Sequence, residues 1–284
     1  MKAWLTKVLF TVVLAFGFLL PSAAAASKRI NKLEEAAMSV IAAYRTSDPA
    51  AQVHLWQVEI THPSRNPKFK EFQAERFKEW ESSEFAPYRI NDPQIITLVS
   101  KVIKPVLQLY QRQDCFKLLV IDHPLPVAMN DSAVLLMLST GLIRRAVSDD
   151  EILGHVAHEL GHDLYWRRTA QARQALELYR TQGVGTPLLQ RQALEELARI
   201  EFECDAFSAV TLASMGRNPL LFGHYLEATE RDFHEYINPE LPPTALRTKV
   251  MMGVVPAAAT QASPQASDAF KRLKSLLAHH PERS

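Results

Sequence analysis

His158-Glu159-Leu160-Gly161-His162 is the segment whose residue types and spacing most plainly can do chemistry. On a helix, histidines four positions apart lie about 40° from each other around the axis and about 6 Å along it, so both imidazoles reach one metal ion. Glu159, one position past the first histidine, points aside, where its carboxylate can meet a water held by the metal without becoming a ligand. Zinc suits such nitrogen and oxygen donors; a catalytic zinc takes three protein ligands and keeps a place for water, whose pKa falls to about 7. The alternative is a partly buried helix face carrying two paired histidines. His155, about 60° round the helix from His158, is read as bearing on a ligand or substrate from the side, or as surface, and not as a ligand.

The third ligand sorts the zinc hydrolases. A metzincin would carry Gly and His where Tyr165 and Arg168 stand, so that class is excluded. Glu201-Phe-Glu-Cys-Asp205 begins 39 residues past His162, a distance that two antiparallel helices and a turn at 183–187 would span. Glu201 and Asp205 again share one helix face. Glu201 is assigned as the ligand and Asp205 as the carboxylate that receives the free N–H of a liganding imidazole, fixing its tautomer. Glu203, about 200° round from Glu201, is expected to face solvent. An ordinary charged helix face is the alternative for this segment.

These residues need two helices to hold them. Ser148-Asp-Asp-Glu151 is a capping box, predicting a helix from residue 149 to about 173 or beyond. After the glycines at 183 and 185, a second helix spans 188–215 and ends at Gly216 and Asn218-Pro219. Periodic apolar residues predict further helices at 30–44, 94–110 (kinked at Pro105), 220–236 and near the C-terminus, where Phe270, Leu273 and Leu277 share a face. Residues 68–81 suggest an amphipathic helix with Phe72, Phe77 and Trp80 inward. The apolar runs 115–121 and 132–138 read as neighbouring strands.

Composition narrows the function classes. With 284 residues, 47% hydrophobic, the chain can build a sizeable core. Its 32 basic and 31 acidic side chains form no basic stripe, which argues against nucleic acid as a partner. Two cysteines, Cys115 and Cys204, are too few for a disulfide scaffold and form no C-x-x-C pair, although they could bridge in an oxidising compartment. Lys2 and Lys7, the apolar run 8–20 and the small residues 22–26 have the layout of a secretory signal, so residues 1–26 are expected to be removed and the chain exported to the periplasm or secreted. The remaining 258 residues carry 30 basic against 31 acidic side chains and no second run long enough to span a membrane; an uncleaved anchor is the alternative.

Taken in order, the features of residues 92–250 resemble the M48 family of zinc metallopeptidases, which includes Ste24-like and HtpX-like proteases. They are the first strand, a turn at Asn130, the second strand with Thr140-Gly141-Leu142, the capped H-E-x-x-H helix, the helix with Glu201 and Asp205, Gly216-Arg-Asn-Pro219, and Pro242-Pro-Thr-Ala-Leu-Arg247. The resemblance implies a predominantly helical α+β domain of gluzincin (zincin) type, with a small sheet and two long zinc-bearing helices. It implies one zinc ion on His158, His162 and Glu201, Glu159 as general base, and polypeptide substrates bound by main-chain hydrogen bonds along an edge strand, here residues 132–138. Arg247 matches the family's arginine and either binds substrate or an oxyanion, or forms a salt bridge that pins the Pro242-Pro243 turn. Leu241 replaces a histidine that in relatives could hold the enzyme off, which argues against that self-inhibition.

The expected organisation is a signal at 1–26, a helical or irregular segment at 27–91 packing on a metallopeptidase domain at 92–255, and a linker with a short helix at 256–284. The expected function is hydrolysis of peptide bonds in unfolded or misassembled envelope proteins. The alternatives are an exported chaperone-like or assembly adaptor with a structural zinc, and a latent protease covered by residues 47–88 until a partner arrives.

Overall fold

A computed structural model describes residues 23–60, 67–183, 185–236, 238 and 240–280. Residues 1–22 of the expected signal segment lie outside them. The architecture is α+β and predominantly helical, with one three-stranded sheet among the described residues.

Helices α6 (Asp149–Leu164) and α8 (Pro187–Ser214) cross at the centre of the molecule in antiparallel sense, with Asp150 bonded to Arg217 just past the end of α8, and Gly154 to Ser208. At the start of α6, Glu151 reaches back to the Ser148 amide at 3.2 Å, half of the expected capping box. The other half, with the Ser148 side chain turned to the Glu151 backbone amide, is present as well. Pro187 at the first turn and Thr186 Oγ1, accepting from the Leu189 amide, start α8. Helix α6 stops earlier than its periodicity predicts. Tyr165 leaves helical geometry, its hydroxyl held 2.9 Å from that of Tyr44, and α7 (Trp166–Gln182) restarts to lie along α8.

The sheet has the order β1 (Lys117–Ile121), β3 (Leu135–Ser139), β2 (Ala128–Asp131), with β1 parallel and β2 antiparallel to β3. The apolar run of β3 is continuous because both faces are covered. Leu136 and Leu138 join the main core, whereas Leu135 and Met137 face a second cluster under α3 (Phe69–Glu81). Each such buried side chain contributes roughly 1.5–3 kcal/mol of transfer free energy. The sheet departs from expectation at two places. Asn130 lies within strand β2 and not in a turn, and the run 132–138 is not an edge: Ser132 and Ala133 form the turn, and β3 is the central strand. An apolar run marks burial on both faces, which is a central strand's environment; the short mixed edge strand Ala-Met-Asn-Asp gives no such signal.

In α3 Trp80 is buried and Phe77 packs on the second cluster as expected, but Phe72 is 43% exposed and Phe69 is buried instead. Its buried stripe includes polar side chains that serve the sheet. Gln73 donates to the Cys115 and Val134 carbonyls, and Arg76 pairs with Asp131. Helices α1 (Ala23–Tyr44), α2 (Pro49–Glu59), α4 (Pro93–Leu109), α5 (Thr140–Arg145), α9 (Pro219–Asp232), α10 (Thr244–Val254) and α11 (Asp268–Ala278) complete the main core. α4 runs on through Pro105. Leu33 and Val40 of α1, Val53 and Trp56 of α2, and Phe270 and Leu273 of α11 all belong to that one core, so the N- and C-terminal segments are built into it. No helix among the described residues is long and apolar enough to cross a membrane.

Candidate metal centre

The α6–α8 crossing brings His158, His162 and Glu201 together, with one potential ligand atom from each lying within 4.8 Å of the others. His158 Nε2 stands 3.3 Å from Glu201 Oε2, and His162 Nε2 3.7 Å from Glu201 Oε1. The rings are 5.0 Å apart and nearly perpendicular. The site is set into the core yet reaches solvent, since the His162 and Glu201 side chains keep 21% and 17% exposure. Two imidazoles and a carboxylate are a donor set that fits a divalent zinc ion.

Asp205, fully buried, places Oδ1 3.0 Å from His158 Nδ1. This leaves Nε2 turned toward Glu201. Arg247 from α10 grips the same carboxylate with both arms of its fork, Nε to Oδ2 and Nη2 to Oδ1, each at 2.8 Å. This salt bridge anchors α10, which begins directly after Pro242-Pro243, to α8, in keeping with the salt-bridge alternative for Arg247. Behind His162 stands Cys204, with Sγ 3.4 Å from Nδ1. Cys204 fits because Gly161 opposes it: a Cβ on Gly161 would lie 3.1 Å from the Cys204 Cα. No disulfide joins the two cysteines, since Cys115 is buried in the separate cluster beneath α3.

The charges are balanced internally. Burial alone would depress His158, but the carboxylates of Asp205 and Glu201 outweigh it and push its pKa up to about 9. Burial would raise Glu201, yet the hydrogen bond to His158 and the nearby His162 and Arg247 hold it well below the usual carboxylate range. A cation among the three donors would take over the role of the His158 proton. Glu159 differs: burial pushes it up to about 7 against the pull of His158 and of the Asn130 amide, which donates to its Oε2 at 2.9 Å.

Glu203 is buried rather than solvent-facing, paired with Arg168 at 2.6 Å and Arg199 at 3.2 Å, because α7 lies over that side of α8. His155 packs its ring edge-on against Phe222 and Tyr225, and burial depresses its pKa to about 3. Asn130 is the site residue that spacing does not disclose; only the return of β2 past α6 places it beside Glu159. Neither protein-family models nor curated proteins give a match to this chain.

Proposed function

We propose that the chain is an exported zinc-dependent endopeptidase of the M48 kind, cleaving unfolded or misassembled polypeptides. The observation that carries the reading is the convergence of His158, His162 and Glu201 on one point, with Glu159 beside it at the edge of the sheet. Three donors rather than four leave a place for a reactant, for which an adaptor with a purely structural zinc has no use. Bound there, zinc would supply a Lewis acid that polarises a carbonyl and acidifies a water.

The chain's own residues do the rest. Asp205 accepts the Nδ1 proton of His158 and fixes the tautomer that leaves Nε2 free to ligate. Arg247 acts on the site through Asp205, holding that carboxylate ionised and in place. Glu159, with a pKa near neutrality, takes a proton from the attacking water and delivers it to the departing amine. The outer side of β1 is already engaged by residues Tyr88 to Ile90, through Ile90 N–H to the Val120 carbonyl and Asp122 N–H to the Tyr88 carbonyl. Among the described residues β2 (Ala128–Asp131) is therefore the edge with no strand beyond it, its Asn130 N–H already donated to Glu159, and an extended polypeptide would add there as a strand through its remaining main-chain groups. The exported location is part of the same proposal and rests on residues 1–26.

The test is cleavage of casein by the purified chain. Chelation is expected to stop it and added zinc to restore it; cleavage that survives complete zinc removal contradicts the proposal.

A further inference from the structure

Strand β2 is tied to α6 by more than the Glu159 contact. Both protons of the Asn130 side-chain amide are spent on α6: Nδ2 donates to the Glu159 carbonyl at 2.9 Å and to Asp163 Oδ1 at 2.8 Å. Its Oδ1 accepts from the Ala133 amide at 3.0 Å, inside the β2–β3 turn. The second oxygen of Asp163 accepts from Arg112 Nη2, and the Arg112 side chain is completely buried. We propose that Asn130 is a positioning residue for Glu159, locked by the buried Arg112–Asp163 pair, so that the β2 edge and the base move as one unit.

Two observations separate this from ordinary packing. A buried ion pair is a poor source of stability, because desolvation offsets its attraction, and Arg112 keeps two buried nitrogens, Nε and Nη1, without a hydrogen-bond partner. On this proposal the pair serves the geometry it imposes on Asn130 and not net stability. Backbone strain falls on the same device. The non-glycine residues with positive φ among those described are Gln111, Ser132 and Ala133. Gln111, at φ 55°, ends α4 in a left-handed cap whose 2.7 Å bond from the Arg112 amide to the Leu107 carbonyl sets the course of the chain at Arg112. Ser132 and Ala133 make the tight turn that returns β2 to β3, and Ala133 is the residue Asn130 holds. Left-handed geometry disfavoured by side chains is thus confined to the two segments that aim Arg112 and Asn130.

The inference takes its meaning from the peptidase reading but not its geometry, and the test separates the two. Asp163→Ala would strand a buried guanidinium and risk unfolding, so both charges are removed together in the full chain. Arg112→Met with Asp163→Leu removes the acceptor for Asn130; Arg112→Met with Asp163→Asn keeps an acceptor oxygen. In the Leu pair the Asn130 amide is expected to exchange with solvent at least about tenfold faster, and kcat on a casein peptide to fall about 10–100-fold, with KM and zinc Kd within about threefold of the unaltered chain. The Asn pair is expected to recover exchange protection and most of kcat. Unchanged Asn130 exchange in the Leu pair, a fall in kcat matched by a fall in zinc affinity, or failure of the Asn pair to recover protection overturns the inference. Should the protein hydrolyse no peptide, the peptidase reading falls while the exchange and zinc measurements still decide this one.

Discussion

Asp205 faces two partners at once, and its ionisation depends on both. Burial works against the charge, and the Arg247 fork, followed by His158, keeps it low and ionised. Replacing it by Asn therefore has two expected effects. The imidazole of His158 loses its strong acceptor, and metal affinity falls about 10–100-fold, readable by competition with a chromophoric chelator. Arg247 keeps only the longer 3.8 Å contact to Glu201 as a counter-charge, and a loss of about 3 kcal/mol is expected in urea unfolding of the metal-free protein. Unaltered zinc affinity in Asp205→Asn would remove that carboxylate from the account of the site. His158, Glu159, His162, Glu201 and Asp205 are legible in sequence because four-residue spacing is a property of a single helix. Arg247 and Asn130 are less so, since they reach their partners across 42 and 29 residues of chain, and no local pattern states which carboxylate each will meet.

At the scale of elements, the crossing of α6 with its neighbours is set by glycines on α6. A Cβ on Gly154 would fall 2.6 Å from Cβ and Cγ of Phe222 on α9, the ring against which His155 packs. Gly154→Ala gains about 1 kcal/mol of helix propensity but overpacks a rigid contact, and a net loss of about 1–2 kcal/mol is expected in urea unfolding. A stabilised variant would mean that α9 yields easily. The two long helices were readable from caps, periodicity and glycine punctuation. The break at Tyr165 was not, because Tyr44, which holds its hydroxyl, lies 121 residues away. Strand β2 is hidden in the sequence for a related reason. Its four residues are half-buried and only two are apolar, and its existence depends on the turn at Ser132 and Ala133, where no glycine advertises positive φ.

Over the whole molecule, near-equal numbers of acidic and basic side chains conceal how unevenly they are placed. Arg112, Arg247, Asp205 and Glu203 are buried and ion-paired, and the candidate metal centre joins helices that also carry the main core. Its protonation should therefore be felt in global stability. A histidine whose folded pKa is raised adds stability below its unfolded value, and that stability is lost as pH rises through the folded value. For His158 the window runs from 6.5 to about 9, whereas Glu159, raised from 4.5 to about 7, loses its own contribution as pH rises from 4.5 to about 7. From pH 7 to 9 the metal-free protein should lose about 2 kcal/mol in urea unfolding, whereas the zinc-loaded protein, with the cation in the proton's place, should not. A flat profile without metal would mean that His158 carries no proton there. The central claim, that this centre hydrolyses peptides with Glu159 as base, is met most directly by measuring zinc stoichiometry and casein turnover together on the unaltered chain and on Glu159→Gln. The account predicts one zinc in both and turnover only in the unaltered chain; undiminished turnover by the zinc-loaded Glu159→Gln variant would contradict it.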